Sequence, residues 1–285
     1  KVFRLNRHPG FVIWTNRFPV SFLEGMEDLI QDPHKMLDEV NGRRFQIRRY
    51  MDLGEPLDCR EPERCRHCFI EPFCTTMERV IQSQNEMSFD VWMESSKVSD
   101  MPYNIKRLGV TVNHPSDVES YPSELPLEIR CKSSDALSEI PKDAVWIAST
   151  EKQLESWLPD LAPNRRLLIE LNQETGPWLL ANKVALSAVL QWIVIHQPSH
   201  EKMKEAISSD VRNLRDFFAK LDLPVSVSGL PACLAPGAVL VDKVKRLSTT
   251  LFDDGRLSVQ GLAKRHVKEG YYAKSSRCGD CALNV

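Results

Sequence analysis

Ala144-Val145-Trp146-Ile147-Ala148, Leu167-Leu168-Ile169-Glu170-Leu171 and Trp192-Ile193-Val194-Ile195 are short apolar, β-branched runs, and helix-like segments separate them at Glu151–Leu158 and Pro177–Val189. Runs this short and apolar read as buried strands. The same rhythm continues outward on both sides. Further strand candidates are Arg107–Val112, Leu127–Cys131 and Val225–Ser228, with helical candidates at Asp135–Ile140 and His200–Leu221. The last is the clearest helix, because Met203, Ile207, Val211, Leu214, Phe217 and Leu221 recur every three or four residues. Alternation of strand and helix predicts an α/β fold with a parallel sheet covered by helices. The number of strands fits either an open parallel sheet or a partial (βα) barrel.

Three regions follow. Residues 89–235 hold the (βα) series. Residues 1–88 are mixed and irregular, and residues 236–285 form a C-terminal tail in which the pattern loosens after Pro231. In the first region Phe11-Val12-Ile13-Trp14 is a strand candidate, and Ser21–Ile30 and Pro33–Val40 are short helices, the second with proline in its first turn. Asn41-Gly42 signals a turn, Arg44–Leu53 reads as extended, and a helix follows the cysteines to about Gln84. In the tail, Leu251–Val259 reads as a hairpin about Asp253-Asp254-Gly255.

The 285 residues are 42% hydrophobic and 27% charged, with a net charge of −2. That balance supports a buried core and gives no global attraction to nucleic acid. No apolar run approaches the ~20 residues of a membrane helix. The basic start at Lys1-Val2-Phe3-Arg4 lacks the apolar core of a signal peptide, so a cytoplasmic location is expected. The missing initiator methionine and the end at Val285 lead to the expectation of a longer polypeptide.

Eight cysteines in a large, core-rich chain point to metal rather than disulfides. Cys59-x5-Cys65-x2-Cys68-x5-Cys74 places four thiols within sixteen residues. The Cys-x2-Cys spacing lets one tight turn aim two sulfurs at one centre. Four thiolates suit a [4Fe-4S] cluster, and structural zinc would accept the same set. Arg60, Arg64, Arg66 and His67 supply positive charge beside an anionic centre. A second group is Cys278-x2-Cys281, for which Cys233 is a third candidate ligand; its fourth ligand is not identified. Joining the two Cys-x2-Cys pairs in one zinc ribbon is an alternative that leaves Cys59 and Cys74 idle. Cys131, at a strand end, reads as core.

Cys65-x2-Cys68-x5-Cys74 resembles the cysteine run of SPASM-type auxiliary-cluster domains, which follow the barrel of radical S-adenosylmethionine enzymes. Cys278-x2-Cys281 resembles the start of the same run. The resemblance implies that Cys59 and Cys233 complete the two groups from upstream. It also implies two [4Fe-4S] clusters serving electron transfer or substrate binding in an oxidoreductase or maturase acting on a peptide or protein. The (βα) series is similar to that superfamily's partial barrel. The chain departs from the family in two respects. The defining Cys-x3-Cys-x2-Cys loop is absent from all 285 residues, so S-adenosylmethionine would need a site in another segment. A further cysteine expected three residues past the run is missing, with Glu78 nearby. Two other functional classes stay open: a zinc-stapled interaction or scaffold protein, and an iron–sulfur electron-transfer partner.

Other candidates are weaker. Arg43-Arg44 and Arg48-Arg49 could line a basic groove for peptide or phosphate, or lie on a solvated face. His196 stands at a strand's carboxyl edge, where barrel active sites form, and Pro198 argues against a helical metal pair with His200. Glu128 and Glu170 sit inside strands, either facing a site or pairing with Arg130 or Arg166. Trp92, Trp146, Trp157, Trp178 and Trp192 read as core.

Overall fold

Apolar residues at helical spacing build the first part of the chain. The computed structural model describes residues 8, 10, 15, 23, 25–26, 29–30, 34–66, 68–83, 89–94, 105–114, 117, 125–134, 144–159, 161, 166–200, 203–242, 247–248, 252–253 and 256–269. The chain divides into two compact units, Lys1–Glu86 with Thr250–Ala282, and Met87–Thr249 with Leu283–Val285.

Among the described residues the first unit is mainly helical. Helix α1 spans Lys35–Gly42, α2 Arg44–Leu53, α3 Pro62–Cys65 and α4 Glu71–Ser83. Ile70, Phe73, Cys74 and Met77 form one buried stripe along α4. Two expectations fail here. Arg44–Leu53 is a helix rather than an extended segment: Arg, Gln, Met and Leu favour helix, and Gly54, at φ 70°, ends it with its N–H on the Tyr50 carbonyl at 2.9 Å. Asn41-Gly42 makes no turn of its own. It closes α1, and the break falls at Arg43. Phe11–Trp14 lies outside the described residues. Within Ser21–Ile30, Gly25 has φ 74°, which interrupts the expected helix.

In the second unit the strands are β1 Phe89–Glu94, β2 Ile105–Val112, β3 Leu127–Cys131 and β4 Val145–Ala148. Helix α5 (Glu151–Trp157) leads to β5 (Arg166–Glu170), then α6 (Thr175–Ala181) and α7 (Lys183–Ser187) lead to β6 (Ile193–His196). Helices α8 (Met203–Ser209) and α9 (Leu214–Leu221) precede β7 (Ser226–Ser228), β8 (Val239–Leu240) and β9 (Leu247–Ser248). Back in the first unit, β10 (Phe252–Asp253) pairs antiparallel with β11 (Arg256–Leu257), and α10 spans Val259–Glu269. The hairpin therefore stops before Val259. Ser258 accepts from the Gly261 N–H, and Leu262, Ala263 and Val267 are buried. Within this unit α10 packs on α1 and α4, with His266 edge-on to Phe73 at 6.0 Å.

The nine strands described in the second unit are all parallel, in the order β8-β7-β6-β5-β4-β3-β2-β1-β9. The α/β class holds. Laid flat, strands spaced ~4.8 Å apart would separate β8 from β9 by roughly 38 Å. Yet only residues 241–246 join them, and that stretch reaches at most about 25 Å. The sheet is therefore curled, with its two edges drawn toward each other.

Its two faces differ. Leu108, Ile129, Trp146, Ile169, Ile195 and Val227 share the helix-facing side, where Trp146 meets Trp157 of α5 edge-on at 5.8 Å. Thr150 and Gln153 form a capping box at the start of α5, and the Gln153 amide donates to the Cys131 carbonyl at 2.7 Å, locking the helix to β3. The opposite face carries Arg107, Glu128, Arg130, Glu170, His196 and Ser228.

Two long helices of the sequence reading are each broken. Pro177–Val189 divides at Asn182, whose side chain turns back to the Trp178 carbonyl, and the helix begins earlier, at Thr175. His200–Leu221 divides around Asp210–Asn213, where Asn213 caps α9 by accepting from the Asp216 N–H at 3.1 Å. The sheet also extends past Pro231 through β8 and β9. Asp135–Ile140 lies outside the described residues.

Candidate metal centre

The four clustered cysteines are set by one short stretch of turns and helix starts. Pro62 stands in the first turn of α3, where its missing N–H is harmless. Cys65 ends that helix. The Cys68 N–H then closes a turn on the Cys65 carbonyl at 3.0 Å, and the Glu71 N–H closes the next on Cys68 at 3.1 Å. Cys74 follows in α4, its N–H on the Ile70 carbonyl. Thus the Cys-x2-Cys pair straddles one tight turn, as its spacing predicts. Cys59, Cys65 and Cys68 are half-buried and Cys74 is buried.

Arg60 organises this stretch. Its guanidinium donates to the Cys65 sulfur at 3.5 Å, to Thr75 Oγ1 at 2.8 Å and to Glu78 at 2.8 Å, and lies 3.4 Å from Glu71. Thr75 donates in turn to Glu71 at 2.5 Å. Burial opposes the guanidinium's charge, and the hydrogen bonds to Cys65 and Glu78 more than offset that, so its pKa rises. Arg43 stands similarly: its hydrogen bond to Glu39, at 2.8 Å, raises its pKa, burial lowers it, and a hydrogen bond to Cys59 raises it again. Two cations therefore lie against two of the four sulfurs. Arg60, Pro62, Cys65, Arg66, Cys68 and Glu71 line a cleft of about 560 Å³.

Cys74 shows how the sulfurs interact. Burial pushes its thiol up to about 12; Cys68 adds to the rise, Arg60 works against it, and Cys59 and Glu78 add to it again. Cys59 and Cys68 are thus each within electrostatic reach of Cys74. A bound metal removes such a penalty by holding each thiol as thiolate. In donor chemistry the set fits a soft metal centre. Among the described residues, however, no three His, Cys, Asp or Glu side chains converge as a metal-binding group. The four thiols share one stretch of chain without closing into a cage.

Of the other candidate ligands, Cys233 is exposed on a short 3-10 turn, Ala232–Leu234, in the second unit. Cys278, Cys281 and His67 lie outside the described residues. Cys131 is buried at the end of β3, its thiol 3.4 Å from the Asn113 carbonyl. Arg43 and Arg44 flank a helix start rather than a strand. The Arg60 clamp went unread in the sequence, although Glu71, Thr75 and Glu78 at i, i+4 and i+7 mark one polar helix face.

On the polar face of the sheet, Glu128 pairs with Arg107 at 3.5 Å. Glu170 takes two hydrogen bonds from Arg130, at 3.1 and 2.5 Å. His196 Nδ1 meets Ser228 Oγ at 2.9 Å, and His200 pairs instead with Asp210 at 2.8 Å. Strand register brings these groups together: Glu170 neighbours His196, and His196 neighbours Ser228. No model of a known protein family matches this chain, and no curated protein matches it.

Proposed function

We propose that Cys59, Cys65, Cys68 and Cys74 hold a [4Fe-4S] cluster, and that the chain serves a radical S-adenosylmethionine-type enzyme as an auxiliary-cluster region joined to a partial (βα) barrel. The observation that supports the reading is the single segment of tight turns and a helix start that carries four cysteines, one of which, Cys65, takes a hydrogen bond from Arg60. Arg60 and Arg43 stabilise negative charge on the sulfurs. Burial of Cys74 keeps bulk water from one side of the set. When bound, such a cluster supplies electrons or a Lewis-acidic iron to a peptide or protein substrate. A cytoplasmic, reducing location goes with this reading, and no helix among the described residues is long and apolar enough to cross a membrane.

The test is metal and acid-labile sulfide analysis of anaerobically purified protein with its visible spectrum. Expected are about four iron and four sulfide per cluster, broad absorption near 400 nm, and loss of that signal from the first site in Cys65→Ala and Cys68→Ala. A colourless protein with stoichiometric zinc and no sulfide overturns the proposal and leaves a zinc-stapled interaction protein.

A further inference from the structure

The carboxyl ends of the curled sheet's strands carry polar groups that the cysteine segment does not involve. In a parallel sheet covered on both sides, strands are apolar throughout. Here the helix-facing residues follow that rule, while the other face mixes buried Ile147 and Leu168 with Arg107, Glu128, Arg130, Glu170, His196 and Ser228. On the other face the carboxyl ends of β5, β6 and β7 place Glu170, His196 and Ser228 side by side. His196 and Ser228 are 8% and 4% exposed, so this is not a solvated edge.

Beside them lies Gln197, whose backbone N–H donates to the Ser228 carbonyl at 3.0 Å. Gln197 is 7% exposed, yet its Oε1 has no hydrogen-bond partner. Its Nε2 has one long contact, to the Pro198 carbonyl at 3.5 Å. A buried amide left this way is costly unless something completes it. The close approach of β7 is held open for this arrangement by Gly229, at φ 81°, where a Cβ would come within 2.5 Å of the Gln197 carbonyl oxygen. Carboxyl ends of parallel strands are where such sheets bind ligands.

We propose that the carboxyl ends of β5, β6 and β7 form a ligand site in which the Gln197 side chain reads a planar group offering a hydrogen-bond donor and acceptor side by side. A peptide amide and the edge of an aminopurine both present that pair, and a glutamine amide matches it with two hydrogen bonds. The ligand's N–H goes to Oε1 and its acceptor takes a proton of Nε2. Glu170, His196 and Ser228 stand at the same strand ends in register.

The test uses the full chain, labelled with nitrogen-15, titrated separately with N-acetylglycinamide and with adenosine at millimolar concentration. One of the two should shift the backbone amides of Gln197 and Gly229 saturably, and which one does so identifies the source of the donor–acceptor edge. In Gln197→Glu, which loses the donor, binding should weaken at least tenfold. Gln197→Met should abolish it while melting no lower than the parent, because it removes an unpartnered buried amide. The proposal is overturned if neither probe shifts these amides, if binding survives in Gln197→Met, or if that variant melts well below the parent.

Discussion

The cysteine-rich unit and the sheet unit spend their polar residues in opposite ways. In the first, charge is local: Arg60, Glu71, Thr75 and Glu78 come from one turn and one helix, within nineteen residues of each other. In the second, charge is long-range: Arg130 reaches Glu170 forty residues on, and His196 meets Ser228 thirty-two residues on. A local cluster can gather its donors before the rest of the chain is in place. The sheet's polar row exists only once every strand has found its neighbour and register.

The largest effect should come from the packed side of the sheet. Trp146→Ala removes a fully buried ring that stacks edge-on with Trp157, and such changes cost about 3–5 kcal/mol. Denaturant titration should show that loss in the second unit, with metal content of the cysteine unit unchanged; a fall in both would break the contrast between local and long-range assembly.

Next comes Cys74 in metal-free protein. Its folded pKa, up to about 12, lies above its ordinary 9.0. Below pH 9 both states keep the proton and nothing is lost. Above it the unfolded chain ionises first, so stability falls as pH rises toward 12, by on the order of 2 kcal/mol at pH 11. Cys74→Ala should flatten that slope in urea titrations at pH 8 to 11. An unchanged slope would remove Cys74 from the buried set.

Gly229→Ala sharpens the long-range side of the comparison. The left-handed backbone and the 2.5 Å approach to Gln197 should cost about 1–3 kcal/mol, read as a lower melting temperature. The smallest effect belongs to the exposed pair Lys35–Asp38, at 3.2 Å. Lys35→Ala should change stability by less than about 0.5 kcal/mol, and a larger loss would show that local charge pairs matter beyond the cysteines.

Much of this was readable in the residues. The β-branched runs at 144–148, 167–171 and 192–195 mark strands because a buried parallel strand tolerates little else. The Cys-x2-Cys turn followed from spacing alone. Arg44–Leu53 was misread because Phe45, Ile47 and Tyr50 carry β propensity, while Gly54 as a helix stop was the better signal. Helix α10 was readable too: Ser258 as a cap, then Val259, Leu262, Ala263 and Val267 at helical spacing. His200–Leu221 kept its periodicity through a real break, because periodicity reports a face and not continuity.

Sequence by itself determined the α/β class, the buried strand runs and the Cys-x2-Cys turn, since each depends on neighbours a few residues apart. Only the tertiary structure decided that Glu128 pairs with Arg107 and Glu170 with Arg130, that the sheet curls, and that Gln197 is buried with an unpartnered oxygen. Strand order and register bring those groups together across tens of residues, and hydrophobic patterning selects the face a side chain occupies without choosing the partner it meets there.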